Sequence, residues 1–228
     1  MPVLALDTSA AVAVSLLADG VTLASRVVHE QRRHAEQLAP MIAEVLAATG
    51  TDRSTLTAVV VGTGPAPFTG LRVGLVTART LGLALGIPVY GVCGLDAVAA
   101  QASVDLDLAA GTEVLVVTDA RRREVYWARY RVTPGAVGIE LVAGPGVDSA
   151  AQVAADGRAG GAVVVGRGAE LYPDALAPVA GAPVDPDPAV LARLALERCA
   201  RGEQLPTEPL YLRRPDVMPP AGHKRALG

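Results

Sequence analysis

Val3-Leu4-Ala5-Leu6-Asp7-Thr8-Ser9, an apolar run that halts on an acid and two hydroxyls, opens the chain and sets its fold. Four consecutive apolar residues bounded by a turn signal read as a buried strand. A second apolar run, Ala11 to Leu17, follows, and Asp19-Gly20 turns the chain into a third from Val21 to Val28. Asp-Gly is a strong hairpin signal, so three meandering strands are expected first. His34 to Thr49 then carries apolar positions Leu38, Met41, Ile42 and Val45 at helical spacing and stops at Gly50. Pro40 has to kink that helix or lie in its first turn. Strand Ala58 to Val61, loop Gly62 to Gly70, helix Leu71 to Leu85, strand Val89 to Val92 and helix Leu95 to Ser103 complete a mixed α/β unit with crossovers.

That order is the order of one ribonuclease-H-like or actin-like lobe. Beyond the polar stretch Ser103 to Thr112 the pattern restarts: Val114 to Thr118 is a strand that again stops at an acid, Asp119, followed by strands Glu124 to Val132 and Ile139 to Val142. Gly and Pro are dense from Thr133 to Gly146 and from Pro173 to Pro188, so the second lobe is expected to be smaller and loopier, with one more strand at Ala162 to Val165. Asp187-Pro188 caps a helix that Gly202 stops. The domains read as a first actin-like lobe over 1–108, a smaller second lobe over 109–212 whose helix 187–202 packs back on the first, and a flexible tail over 213–228.

Composition narrows the function. The 228 residues are 51% hydrophobic and 3% aromatic, with net charge -3. No whole-molecule positive field exists to hold a nucleic acid, and too few rings exist for base stacking. The single lysine, Lys224, lies near the end, so no Walker lysine or Schiff-base amine sits on a core element. Cys93 and Cys199 form no CxxC pair, which fits a reduced, cytoplasmic setting. Met1-Pro2-Val3 shows no signal-peptide pattern, and no stretch reads as a membrane span.

Three places invite chemistry. Asp7-Thr8-Ser9 resembles the first phosphate motif of actin-like ATPases, yet an Asp after a strand is as often a turn residue. The loop before the second helix carries Pro65 and Pro67, which lack the N–H a phosphate cradle uses. His29 and His34 stand five apart and do not share a helical face, so no metal site is expected. The second helix is the most informative element. Gly70, Gly74, Ala78, Gly82 and Gly86 recur every four residues, and Val73, Val76, Leu81 and Leu83 lie around that ridge. This is more apolar surface than one sheet face covers. Either the chain's own helix or another protein covers the rest.

Taken together, Ala5-Leu6-Asp7-Thr8-Ser9, the run His34 to Ile42, Gly64-Pro65-Ala66-Pro67-Phe68-Thr69-Gly70-Leu71-Arg72, Asp119-Ala120-Arg121-Arg122-Arg123-Glu124-Val125-Tyr126 and Pro209-Leu210-Tyr211-Leu212-Arg213 resemble the bacterial TsaB family. The resemblance implies an α/β, two-lobed actin-like (ribonuclease-H-like, ASKHA) protein. It further implies a non-catalytic, dimerising subunit of the complex that forms threonylcarbamoyladenosine beside the anticodon of tRNA. Its implied partners are the catalytic paralogue TsaD, the ATPase TsaE and a second copy of itself, with tRNA reached through the complex. No catalytic residue, metal or cofactor of its own is expected, and ATP or ADP is expected, if anywhere, at the interface of the complex. Where the paralogue has a metal-binding His-x-x-x-His, this chain reads Val92-Cys93-Gly94-Leu95-Asp96. The family's Gly-Ser in the loop is replaced here by Ala66-Pro67, which removes a hydroxyl and an N–H. Leu38, Met41, Ile42 and Val45, with Gly70, Gly74, Ala78 and Leu81, are the expected interface, and Asp7, Thr8 and Ser9 the expected nucleotide contacts. Two other readings stay open: an ATPase or small-molecule kinase using Asp7 and Asp119, and a metallopeptidase.

Overall fold

Alternation along the first strand dictates the architecture. In the computed structural model, which describes residues 1–29 and 34–213, β1 (Pro2–Asp7) sends Leu4 and Leu6 to one face of a sheet and Val3 and Ala5 to the other, and both faces are buried. β2 (Val12–Ala18) and β3 (Val21–Val28) pair antiparallel beside it. Asp19 and Gly20 turn between them with φ of 51° and 79°, the positive values that a tight hairpin requires. β4 (Ala58–Gly62) and β5 (Val89–Val92) add in parallel, giving the order β3-β2-β1-β4-β5.

Helices α1 (His34–Thr49) and α2 (Phe68–Leu85) cover the Leu4 face. The other face receives α6 (Pro188–Ala200), capped by the Asp187 carboxylate, which accepts from the Ala189 N–H at 2.7 Å. A second sheet repeats the first without its fifth strand. β6 (Glu113–Arg121), β7 (Glu124–Val132) and β8 (Ile139–Ser149) form an antiparallel meander, and β9 (Ala162–Val165) lies parallel to β6, in the order β8-β7-β6-β9. Short helices α4 (Ala150–Ala155) and α5 (Arg167–Leu171) complete it.

Between the sheets runs α3 (Gly94–Asp105). Its Leu95, Val98 and Ala102 pack on the second sheet, while Ala97 and Ala100 pack with α6 and the first. Burial on opposite sides explains why this helix is rich in alanine and lacks a continuous polar face. Asp96 accepts from the Tyr130 hydroxyl of β7 at 2.7 Å and pairs with Arg198 of α6 at 2.8 Å, so one carboxylate ties both sheets' layers together.

The structure corrects three expectations and adds two short helices. α2 starts at Phe68 rather than Leu71, directly after Pro67. β8 continues past Val142 through Gly144-Pro145-Gly146 to Ser149, because an edge strand tolerates proline and its irregular register absorbs the glycines. The helices α4 and α5 were too short to register as periodic patterns. Residues 203–212, expected to close the second lobe, instead run along the first sheet: the Gly91 N–H donates to Leu205 O at 3.0 Å and the Leu210 N–H to Thr63 O at 2.8 Å. Of the expected tail over 213–228, all but Arg213 lies outside the described residues.

Candidate functional site

The first candidate is the halt at the end of β1. Asp7 is buried, and its Oδ1 accepts from the Ser9 N–H at 2.8 Å and from the Ser9 hydroxyl. Its Oδ2 has no partner. Gly62 makes the room: a Cβ there would stand 1.9 Å from Oδ2. Burial pushes the Asp7 carboxyl up to about 6 against the lowering pull of Ser9, and the nearby Asp185 carboxylate adds to the rise.

Thr8 does something the sequence did not suggest. Its hydroxyl donates to Gly70 O at 2.8 Å and accepts from the Gly74 N–H at 3.0 Å. These two groups are the i and i+4 pair that an α-helix ordinarily joins directly, so a side chain just past the end of β1 bridges the first turns of α2. The hydroxyls of Thr8 and Ser9, two of the expected nucleotide contacts, are thus engaged within the chain, one clamping a helix and one closing a turn.

Asp119 occupies the equivalent place at the end of β6 and is engaged likewise. It accepts from the Arg121 N–H at 2.7 Å and pairs with the Arg121 guanidinium at 3.1 Å. Ser9, Pro65, Ala66, Pro67, Asp119, Arg167 and Asp185 line a small pocket of about 30 Å³, which Asp7 does not line. Arg167 holds Asp185 across it through both carboxylate oxygens. A larger cavity of about 420 Å³ lies on the α6 side of the first sheet and takes in Asp7, Gln101 and Asp185. Among the described residues no group of three His, Cys, Asp or Glu stands close enough to hold a metal ion. The side chain of His34 lies outside the described residues.

The expected interface is corrected by burial. Leu38, Met41, Ile42 and Val45 face the sheet, each 8% exposed or less, and Ala78 is wholly buried. Gly74 and Gly82 abut the chain's own Thr8 and Val89. The small-residue ridge thus brings α2 close to its own sheet, with Gly70 and Leu81 half-buried at its margins. The opposite side of α2 carries the exposed surface: Phe68, Val76 at 63% and Leu83 at 87%. Ala39, Ala43 and Ala47 are exposed on α1. The same pattern of periodicity could have pointed to this face, since Val76 and Leu83 are seven apart and opposite the glycines.

One contact was not legible at all. Tyr211 stacks on Phe68 at 5.1 Å between ring centroids, Arg72 lies 3.5 Å over the Phe68 ring, and the Arg72 Nε donates to the Tyr211 hydroxyl at 3.0 Å. Arg79 holds Thr207. The strap 203–213 is thereby fixed to the start of α2. It ends where Arg213 donates to Ala120 O at 3.2 Å and meets Glu124 at 3.1 Å, on the hairpin between β6 and β7.

That hairpin is itself strained. Arg121, Arg122 and Arg123 all have positive φ, of 65°, 53° and 65°. A non-glycine residue in this region costs about 1 kcal/mol or more, and side chains rarely occupy it in succession.

Two sheets of one strand order, set about a shared helix with an acid at the end of β1 and another near the end of β6, define an actin-like protein. A family model described as TsaD, tRNA N6-adenosine threonylcarbamoyltransferase, matches residues 22–173. An uncharacterised protein of Mycobacterium tuberculosis is 46% identical over 95% of this chain and 94% of its own length. The tRNA threonylcarbamoyladenosine biosynthesis protein TsaB of Escherichia coli is 36% identical over 58% of this chain and 55% of its own. Among solved structures, a Pseudomonas aeruginosa protein described as similar to the peptidase YeaZ superposes with a TM-score of 0.77 at 34% identity, over 93% of this chain and 99% of that one. The chain belongs to the TsaB family.

Proposed function

We propose that this chain is a non-catalytic pairing subunit in the formation of threonylcarbamoyladenosine on tRNA, supporting a TsaD-type catalytic partner together with a TsaE-type ATPase in the cytoplasm. The observation that carries the reading is the outward face of α2, where Val76 and Leu83 stand exposed on an ordered helix beside the alanines of α1. An apolar stripe of this kind on a well-packed element marks a protein contact. The same face is available to a second copy of the chain, so the free protein pairs with itself when the partner is absent. Any ATP or ADP belongs, in this reading, to the interface of the assembled complex.

The test is assembly. Leu83→Arg or Val76→Arg is expected to abolish pairing with TsaD in sedimentation while leaving the circular dichroism of the isolated chain unchanged. Pairing that survives both substitutions would remove this face from the account. ATP hydrolysis by the clean isolated chain, lost on Asp7→Ala, would restore the kinase reading.

A further inference from the structure

Between the first sheet, α3 and the loop that leads into α6 lies the cavity of about 420 Å³, a size that suits a small-molecule site. Ala13 and Val27, register partners on β2 and β3, line it from the sheet. Gln101 and Asp105, four apart on α3 and so on one face of that helix, line it from another side. Asp7 and the loop 181–188 complete the wall.

Two buried acceptors of this wall are unused. Asp7 engages the Ser9 turn through Oδ1, and its Oδ2 meets no donor although the residue is only 2% exposed. Gln101 Oε1 is likewise buried without a partner. Buried acceptors are ordinarily paired, so two of them at one cavity point to donors that a ligand brings.

The charge around them selects the ligand. Asp105 and Asp187 add carboxylates to the wall, the latter also capping α6, and Asp185 adds one that Arg167 already holds. His29 is the one basic side chain lining the cavity among the described residues; it is largely exposed and stands 3.9 Å from Asp185. An anion is disfavoured, because Pro183, Pro186 and Pro188 have no N–H and the Ala182 N–H already donates to Val179 O. Nor do three of the acids converge on a point where a metal ion would sit, among the described residues. A cationic head that spreads several N–H donors suits separated acceptors better, and the apolar surface of Ala13, Val27 and Val184 suits a hydrocarbon stem.

We propose that this cavity binds a small aliphatic ammonium or guanidinium compound, whose N–H groups donate to Asp7 Oδ2 and Gln101 Oε1 while its stem lies along Ala13 and Val27. The Asp7 carboxyl, pushed up to about 6 by burial, is ionised for the most part at about pH 7.5 and gains a counter-charge from the ligand. The site lies on the face of the first sheet opposite α2, so it is separate from the pairing surface and its test needs no partner protein.

Isothermal titration of the full chain at about pH 7.5 with butylammonium, diaminobutane and agmatine reads the proposal. At least one of these amines is expected to bind saturably at one site, and inorganic phosphate is expected not to displace it. Asp7→Asn keeps the shape of the side chain and removes its charge, and should weaken binding roughly tenfold or more. Val27→Trp fills the cavity from an exposed position on β3, where a large aromatic residue is compatible with a strand, and should abolish binding with the wild-type circular dichroism retained. This second variant decides the matter if Asp7→Asn does not fold. Saturable binding by none of the amines would overturn the proposal. So would displacement by phosphate, or an affinity that either folded variant leaves unchanged.

Discussion

At Gly74 an added Cβ would stand 2.5 Å from the Thr8 Oγ1 and 3.4 Å from Leu6 Cδ1. Glycine to alanine inside a helix ordinarily gains about 0.5–1 kcal/mol, so the sign of the effect at this position is diagnostic. Gly74→Ala is expected to destabilise by about 1–3 kcal/mol in urea unfolding, because the Thr8 bridge has to move. A gain in stability would mean that Thr8 does not clamp α2. Asp7 gives a second residue-scale expectation. Its carboxyl titrates near 3.8 when unfolded and near 6 in the fold. The folded state therefore holds the extra proton between those values, and stability falls as pH rises through them, by up to about 3 kcal/mol, then levels off above 6. The stability difference between wild type and Asp7→Asn should shift against the wild type from pH 4 to 6.5. A difference independent of pH would contradict the buried, unpartnered Oδ2. The sequence marks Asp7, Thr8 and Ser9 as special through the abrupt end of an apolar run. It does not reveal their use, since the groups Thr8 bridges lie more than 60 residues away along the chain.

At the level of elements, α2 shows how periodicity identifies a face without saying what the face meets. The glycine ridge and the apolar surround are both legible, and a close-packed ridge was expected. That the ridge meets the chain's own Thr8 and Val89 depends on the crossover that lays α2 over β1 and β5. Consequently Ala78→Arg is expected to unfold the chain by burying an unpaired charge, whereas Leu83→Arg should leave stability within about 0.5 kcal/mol of wild type. Thermal melts of the two variants check this, and equal effects would contradict the assigned orientation. The β8 extension was illegible for a different reason. Gly144 and Gly146 read as loop residues, yet a Cβ at Gly146 would stand 2.8 Å from the Trp127 ring, so the glycine is there to let the indole lie against the strand. The strap is held mostly by single side chains, which no period in the sequence exposes. Tyr211→Ala removes the Phe68 stack and the Arg72 bond and should lower stability by about 1 kcal/mol.

Over the whole molecule, the repeat of a three-strand meander whose first apolar run stops at an acid made the two-lobed plan readable, and the second sheet follows the first strand for strand apart from β5. The arrangement of the halves was less readable, because it rests on Asp96 joining Tyr130 to Arg198 and on α3 being buried on opposite sides. These contacts hold the halves together. The exposed apolar face lies on the outside of α2. In the proposed role this chain acts through that outer face. Its most direct test is nucleoside mass spectrometry of tRNA incubated with TsaD, TsaE and the threonylcarbamoyl donor, with wild-type chain, Leu83→Arg chain or none. Modified adenosine with the wild type alone is the predicted result. Equal product with the Leu83→Arg chain, or without any chain, would contradict it.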